Sequence, residues 1–238
     1  MELTMNRACG KNTLAACGTF VMCLLLLGST GCEMTNPELR HRGRSAYLGG
    51  NYERSRDFYA QAVRQNPTDV EAQYGLGRAH LELDQPRDAH LAFEEAMALA
   101  SDDQNLMPRI LDGLAEALYR LERQDRLHAF LQHCVERYGT TRDYLRQGDY
   151  LARIGDMDGA EGAYRRAAHF APDGEVEPFL ALARFYENRN DMTKSVRALR
   201  WAYYVDPHNP EVVQRLRDHG LVPGPTVAEE PDRALLRP

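Results

Sequence analysis

Small, bulky apolar and helix-breaking residues recur along the chain with one fixed spacing. In five sets, the first position is followed by a second after twelve residues, a third after seven more and a turn or helix-breaking residue after another five. The sets are Gly43, Ser55, Ala62, Pro67; Gly77, Ala89, Ala96, Ser101; Ala115, Leu127, Cys134, Gly139; Gly148, Ala160, Ala167, Pro172; and Ala183, Ser195, Ala202, Pro207. A bulky residue stands four positions after the second member of each set: Tyr59, Phe93, Leu131, Tyr164 and Leu199. This pattern predicts five repeated helical units.

The spacing of the five sets fits helical hairpins. A unit of about 34 residues holds two helices of roughly 12–14 residues and two short turns. Small side chains at the crossing points let two helix axes approach closely, and the bulky residue lies on the same helix face one turn on. Proline or glycine then ends the second helix. We therefore predict an all-α chain with repeats at 36–69, 70–103, 108–140, 141–174 and 176–209.

The third unit departs from this pattern. Leu127 occupies a position where the other units have a small residue, and the segment Gln104–Met107 adds extra residues before the unit. A larger side chain at a helix crossing keeps the two helix axes apart. We expect the helices of the third hairpin to be separated or shifted, with a hinge or a change of curvature there.

The repeated residues resemble those of the tetratricopeptide repeat family over Asn36 to Asn209. The matching positions include Tyr74, Gly75, Leu76, Gly77, Asp88, Ala89, Phe93 and Ala96; then Gly148, Gly155, Ala160, Tyr164, Ala167 and Pro172; then Phe179, Leu182, Ala183, Tyr186, Leu199, Ala202 and Pro207. The resemblance implies a right-handed superhelical solenoid of about five hairpins, whose first helices line a concave face that binds peptides. Terminal repeats of a solenoid need a cap, and residues 210–220 are predicted to form a capping helix. Residues 221–238 are predicted to be a disordered tail.

The family register places mostly cationic and aromatic side chains on the concave face. They are Arg40, Arg44, Tyr47, Arg78, Arg109, Tyr119, Arg120, Arg142, Arg153 and Arg184, with Asp112 and Asp149 among them. Arginine forks and tyrosine rings suit an extended or C-terminal peptide that bears carboxylates. A solvated groove, whose charges only keep the protein soluble, is the alternative. The family's chaperone-tail clamp is not expected, because Arg44 and Gly75 stand where that clamp has asparagines.

The N-terminus is typical of an export signal. Arg7 and Lys11 precede the apolar run Leu14–Leu27, and Ser29, Thr30 and Gly31 lead to Cys32. This end resembles the lipobox of bacterial lipoproteins. The resemblance implies that residues 1–31 are a cleaved signal peptide, that Cys32 carries a covalent lipid and that residues 32–35 form a short linker.

The same resemblance bears on location, and two alternatives to it stay open. Glu33 follows the lipidated cysteine, which favours the outer membrane facing the periplasm. Residues 12–31 could instead remain as an uncleaved membrane anchor, or the signal could be cleaved without lipid attachment.

Composition and motifs argue against catalysis and nucleic-acid binding. The formal net charge is −6, so a basic footprint for nucleic acid is missing. No metal site is predicted: Asp156 and Asp158 lack the further carboxylates of a calcium loop, and His128 and His133 are not spaced as ligands on one helix face. No cofactor is expected, and Cys134 is interpreted as a buried structural thiol.

These observations predict a non-catalytic scaffold for protein–protein interactions, anchored by lipid to the bacterial envelope. Its partners would be envelope proteins or peptides bound on the concave face. Envelope proteins that it resembles in architecture assist pilus secretin assembly, outer-membrane protein insertion or recruitment of wall enzymes. A self-associating structural protein, formed by stacking of terminal repeats, is an alternative, and the oligomeric state is left open.

Overall fold

The structure is a computed structural model that describes residues 34–100 and 105–236. These ranges contain eleven α-helices and no strand. They are α1 (Asn36–Leu48), α2 (Tyr52–Gln65), α3 (Val70–Glu82), α4 (Pro86–Leu99), α5 (Met107–Arg120), α6 (Gln124–Arg137), α7 (Thr141–Arg153), α8 (Met157–His169), α9 (Glu177–Asn188), α10 (Met192–Val205) and α11 (Pro210–Asp218). The predicted all-α solenoid of five hairpins and a capping helix is confirmed. The predicted signal peptide and the lipidation site at Cys32 lie outside the described residues.

Polar side chains fix where many of the helices begin. Asn51, Asp69, Asp156 and Asp191 each accept a hydrogen bond from the backbone N–H three residues on, at the start of α2, α3, α8 and α10. Such caps satisfy donors that have no partner inside the helix. The faintly calcium-like segment at Asp156 therefore has a structural role as a helix cap.

The bulky residue of each second helix packs between two first helices. The ring of Tyr59 lies against Gly43 of its own hairpin and Gly75 of the next hairpin. A Cβ atom at Gly75 would be 2.4 Å from that ring. Phe93 packs in the same way against Gly77 and Gly113. Glycine is thus required at these positions of α3 and α5, because an aromatic ring fills the space that a larger side chain would need.

The third hairpin is built differently, as its sequence predicts. Leu127 is fully buried at the crossing of α5 and α6, and the backbones of these two helices are in the least extensive contact of the five pairs. The bulky position on α6 holds Leu131 rather than an aromatic residue. Opposite it, the position equivalent to Gly75 and Gly113 is taken by Arg146, the second residue before Gly148. A shorter apolar side chain leaves room for the long arginine.

Arg146 ties the third hairpin to the fourth from inside. Its side chain is 2% exposed, and its guanidinium lies 2.6 Å from the carboxylate of Asp143 and 2.7 Å from that of Asp112. Its third contact is a donation to the backbone oxygen of Pro108. Cys134 is buried beside this network, and burial raises the pKa of its thiol to about 11, against the opposing effect of Arg146. The prediction of a buried structural thiol is confirmed.

The C-terminal tail lies against the solenoid. Residues 221–236 run along α8 and α10, and Leu236 is part of the same apolar cluster as Trp201 and Leu182. One buried leucine and several arginine contacts hold these residues, whereas disorder of the tail in solution stays a prediction. The helix α11 comes before it and buries Val212 and Leu216 against the fifth hairpin.

Candidate functional site

A groove on the first helices of the N-terminal hairpins gathers half of the predicted concave-face residues. We call it the basic-aromatic groove. Its cavity is about 510 Å³, and the side chains that define it are Arg40, Arg44, Tyr47, Tyr74, Arg78 and Arg109. Helices α1, α3 and α5 supply them, and within two pairs, Arg44 with Arg78 and Arg40 with Tyr74, the members are one repeat apart. Because the hairpins stack, residues that are one repeat apart in the sequence lie next to each other on one surface.

Arginine and tyrosine side chains alternate along this groove. The guanidinium carbon of Arg78 lies 4.0 Å from the ring centroid of Tyr47 and 5.7 Å from that of Tyr74. The guanidinium carbon of Arg109 lies 4.9 Å from the centroid of the same Tyr74 ring. A guanidinium held over a ring face is attracted by the ring's quadrupole and loses rotamer freedom. These contacts order the cations before any ligand arrives.

Three cations of the groove keep their charge uncompensated. Arg44, Arg78 and Arg109 form no ion pair with the carboxylates of residues 34–100 and 105–236. Arg40 differs, because it pairs with Asp69 at 3.2 Å and contacts Glu71. The N-terminal half of the concave face therefore presents a net positive charge, although the whole chain is acidic.

Tyr47 is held in the groove as a neutral hydrogen-bond donor. Its hydroxyl donates to the carboxylate of Glu82 at 2.7 Å. Burial and this carboxylate raise the pKa of Tyr47 to about 12, although Arg78 acts in the opposite direction. The phenol is therefore protonated at every physiological pH, and its ring face stays available to Arg78.

The remaining predicted residues lie towards the C-terminal half, and each of their arginines pairs with a carboxylate of the chain. Arg142 contacts Asp112, and Arg184 pairs with Glu177 and Glu211. Both Arg120 and Arg153 pair with Glu116, at 2.6 and 2.7 Å. Tyr119 lies under Arg153, whose guanidinium carbon is 3.8 Å from its ring centroid. Asp149 accepts a hydrogen bond from Tyr164 at 2.6 Å.

One groove residue is absent from the sequence-based prediction. Tyr74 lies between Arg78 and Arg109 and is the ring that links them. The signal was present, because Tyr74 is one repeat after Arg40, a residue predicted for the same face. Two pairings on the C-terminal half gave no such signal, since Arg142 and Arg153 pair with carboxylates of α5, whose rotation relative to α7 the sequence does not state.

Two features of the described residues bear on metal binding and on membrane insertion. Residues 34–100 and 105–236 contain no group of three His, Cys, Asp or Glu side chains arranged to hold a metal ion. Within the same ranges, every helix is too short or too polar to cross a bilayer.

Comparison with known proteins places the fold. Residues 46–107 match the tetratricopeptide repeat family. No curated protein sequence matches the chain. Among solved structures, the chain is similar to MamA, with 17% identity over 80% of this chain and 98% of that one, and a TM-score of 0.52.

Two other solved structures resemble the chain to a similar extent. The MamA fragment 41-end from Desulfovibrio magneticus RS-1 has 14% identity and a TM-score of 0.53, over 74% of this chain and 97% of that one. TTC0263, a thermophilic tetratricopeptide repeat protein in Thermus thermophilus, has 21% identity and a TM-score of 0.50, over 77% and 98%. At these identities the similarity shows a shared fold, the tetratricopeptide-repeat solenoid.

Proposed function

We propose that this tetratricopeptide-repeat chain is a non-catalytic adaptor that captures extended, carboxylate-bearing peptides of envelope proteins. The observation that carries the proposal is the set Arg44, Arg78 and Arg109, which form no ion pair among the described residues and lie beside the rings of Tyr47 and Tyr74. Guanidinium groups bind carboxylates through two parallel hydrogen bonds, and ring faces accept apolar or planar parts of a peptide. An acidic or C-terminal peptide segment therefore fits this groove.

Capture in the basic-aromatic groove would be reversible and sensitive to salt. The three cations come from α1, α3 and α5, so a ligand must be extended to reach all of them. Because the groove is open to solvent, ions screen its attraction for acidic peptides. The cation–ring contacts reduce the side-chain entropy that binding would otherwise cost.

The anchor is the second part of the proposal. A lipid on Cys32 would hold the adaptor on the outer membrane, facing the periplasm. Met34 supports a short connection, because its backbone oxygen accepts a hydrogen bond from Gln65 at 2.9 Å and its side chain packs on the first apolar cluster. With Met34 fixed on the first hairpin, the basic-aromatic groove would lie close to the bilayer. Secretin assembly, outer-membrane protein insertion and wall-enzyme recruitment are the roles that suit such a position.

Charge reversal in the groove tests peptide capture. A photo-crosslinking residue at exposed His41, which lines the groove, is introduced into three chains: otherwise native, Arg44→Glu/Arg78→Glu/Arg109→Glu, and the control Arg64→Glu/Arg87→Glu/Arg126→Glu. Both triple variants change the net charge equally, but the control residues are exposed outside the groove. We expect crosslinked envelope partners with the native and control chains only. Equal capture by both triple variants would show that the groove does not select the partner.

A cysteine substitution tests the anchor separately. Cys32→Ala should release the protein from membranes and abolish labelling by radioactive palmitate. Cys134→Ala, which removes the cysteine buried in the solenoid, should leave both unchanged. Membrane retention of Cys32→Ala at the full uncleaved mass would instead favour a signal anchor.

A further inference from the structure

The C-terminal segment occupies a second groove of the solenoid. We call residues 221–236 the strap and the cleft that receives its end the strap groove. This groove lies among α8, α9 and α10 and is lined by Glu161, Arg165, Leu182, Tyr186, Arg197 and Trp201. It shares no residue with the basic-aromatic groove.

The strap is held by contacts that any extended peptide could make. Leu236 is 1% exposed and inserts its side chain among Leu182 and Trp201. The guanidinium of Arg165 donates to the backbone oxygen of Leu235. Leucine burial and a main-chain hydrogen bond do not depend on the ligand belonging to the same chain.

A second arginine contacts the acidic part of the strap. Arg200 donates to the backbone oxygen of Val227 at 2.9 Å and lies 2.7 Å from the carboxylate of Glu229. The strap is thus recognised as an acidic, non-helical segment whose turn at residues 233–236 presents a leucine anchor.

The strap itself is weakly anchored. Among residues 221–236, Leu236 is the one that is buried, and Val222 is 83% exposed. The segment has no helix, and besides two backbone hydrogen bonds within its turns its backbone is ordered mainly by exposed or half-buried contacts. The strap begins directly after Gly220, whose φ of +75° turns the chain away from the end of α11. Such a segment opens locally more readily than the hairpins do.

The groove retains binding capacity that the strap leaves unused. Trp201 is 4% exposed, yet its indole N–H donates to no acceptor among the described residues. Arg197 at the rim is exposed and forms no ion pair within residues 34–100 and 105–236. A cavity of about 220 Å³ remains beside Leu235 and Leu236. A peptide with one more carbonyl or carboxylate would satisfy groups that the strap does not.

We propose that the strap groove is a second peptide-binding site, for acidic, non-helical segments of a partner protein that carry a leucine anchor, and that the strap occupies it as an internal competitor. Because the strap is tethered, its effective concentration at the groove is on the order of millimolar. A partner segment therefore binds the native chain more weakly than a chain whose strap is released. The site stands apart from the basic-aromatic groove and does not depend on its function.

Two leucine variants of the full chain measure strap release. Leu236→Asp puts a charge into the apolar groove, whereas the control Leu235→Asp makes the same change at a side chain that is 48% exposed. Trp201 is the single tryptophan of the chain and lines the groove, so its fluorescence reports the groove directly. We expect a red shift of emission and faster hydrogen exchange of residues 221–236 in Leu236→Asp only. Equal changes in both variants, or none in either, would overturn the proposal.

A peptide added in trans then tests the site. The probe is a synthetic peptide of residues 221–238, and the control peptide carries Leu236→Asp. The native-sequence peptide should restore the Trp201 emission of the Leu236→Asp chain and bind the native chain at least roughly tenfold more weakly. Failure to bind the released chain, or equal binding of both peptides, would refute a peptide site. Concentration-dependent dimers of the native chain that are absent in Leu236→Asp would also refute the proposal. They would show that the strap of one copy occupies the groove of another copy.

Arg200→Ala is a second strap variant, for the case in which Leu236→Asp disturbs the fold. If the helix content of the Leu236→Asp chain falls, Arg200→Ala loosens the strap without placing a charge in the groove. The peptide should then bind Arg200→Ala more tightly than the native chain. Binding no tighter than native would count against competition by the strap.

Discussion

The Nε atom of Arg146 lies 2.7 Å from Oδ1 of Asp112, across the junction between the third and fourth hairpins. Arg146 stands where the second and third hairpins have glycine, and its guanidinium also pairs with the buried carboxylate of Asp143. The bulky position of α6 holds Leu131, which is shorter than the aromatic residues at the equivalent positions of α2, α4 and α8. The chain has thus replaced a ring-on-glycine contact by an ion-pair network at one junction.

Removing the buried cation should destabilise the chain strongly. Arg146→Met leaves the carboxylate of Asp143 buried without its cation, and we expect the free energy of unfolding to fall by about 3 kcal/mol. Arg142→Met is the matched control, because Arg142 contacts the same Asp112 but its side chain is 56% exposed. The control should cost less than about 1 kcal/mol. Chemical denaturation measures both, and equal losses would contradict an internal role for Arg146.

Two glycine-to-alanine changes should act in opposite directions. A Cβ at position 75 would be 2.4 Å from the ring of Tyr59, so Gly75→Ala overpacks the first junction and should cost about 1–3 kcal/mol. The nearest atom to a Cβ at Gly162, on α8, is the end of Arg166 at 4.0 Å. Gly162→Ala should therefore stabilise the helix by roughly 0.5–1 kcal/mol. Thermal unfolding compares them; a stabilised Gly75→Ala would rule out the ring contact.

Glu116 should make stability depend on acidic pH. Burial opposes its ionisation, but hydrogen bonds and charge from Arg153 and Arg120 outweigh burial and lower the pKa of Glu116 to about 2. The folded pKa lies below the unfolded value of about 4.3, so the stabilisation is present above that value and is lost as pH falls towards 2. Both arginines are more than a third exposed, which limits the contribution to about 1–2 kcal/mol.

Denaturation at several pH values checks the Glu116 contribution. The difference in unfolding free energy between the native chain and Glu116→Gln should be largest at pH 7 and vanish near pH 2. Glu95→Gln is the control, because Glu95 is exposed and contacts no cation in the described ranges. A difference between the native chain and Glu116→Gln that does not change with pH would mean that Glu116 acts through packing alone.

Helix α6 should exchange its amide hydrogens faster than the other second helices. It has less extensive backbone contact with α5 and with α7 than α4 has with α3 and α5. Few close contacts lower the free energy of local opening. Hydrogen exchange followed by mass spectrometry should show α6 losing protection before α4 and α8. Uniform protection along the solenoid would mean that the Arg146 network compensates for the looser packing.

Much of the fold could be predicted because each hairpin depends on local signals. The small residues, the bulky residue four positions on and the helix breaker all act within one unit of about 34 residues. The irregular third hairpin could also be predicted, since Leu127 occupies a position where the other four repeats have alanine or serine. The strap was missed because its anchor, Leu236, packs on helices far away in the sequence.

By itself, the sequence determined the all-α solenoid, its irregular third hairpin and the side chains that share the face of the first helices. Only the tertiary structure decided which of those side chains are free to act. Arg44 and Arg78 form no ion pair within residues 34–100 and 105–236, whereas Arg142 and Arg184 are paired with carboxylates of other helices. A repeat fixes the register of each helix, but ion pairing depends on distances of a few ångströms between helices, which the packing at each junction sets.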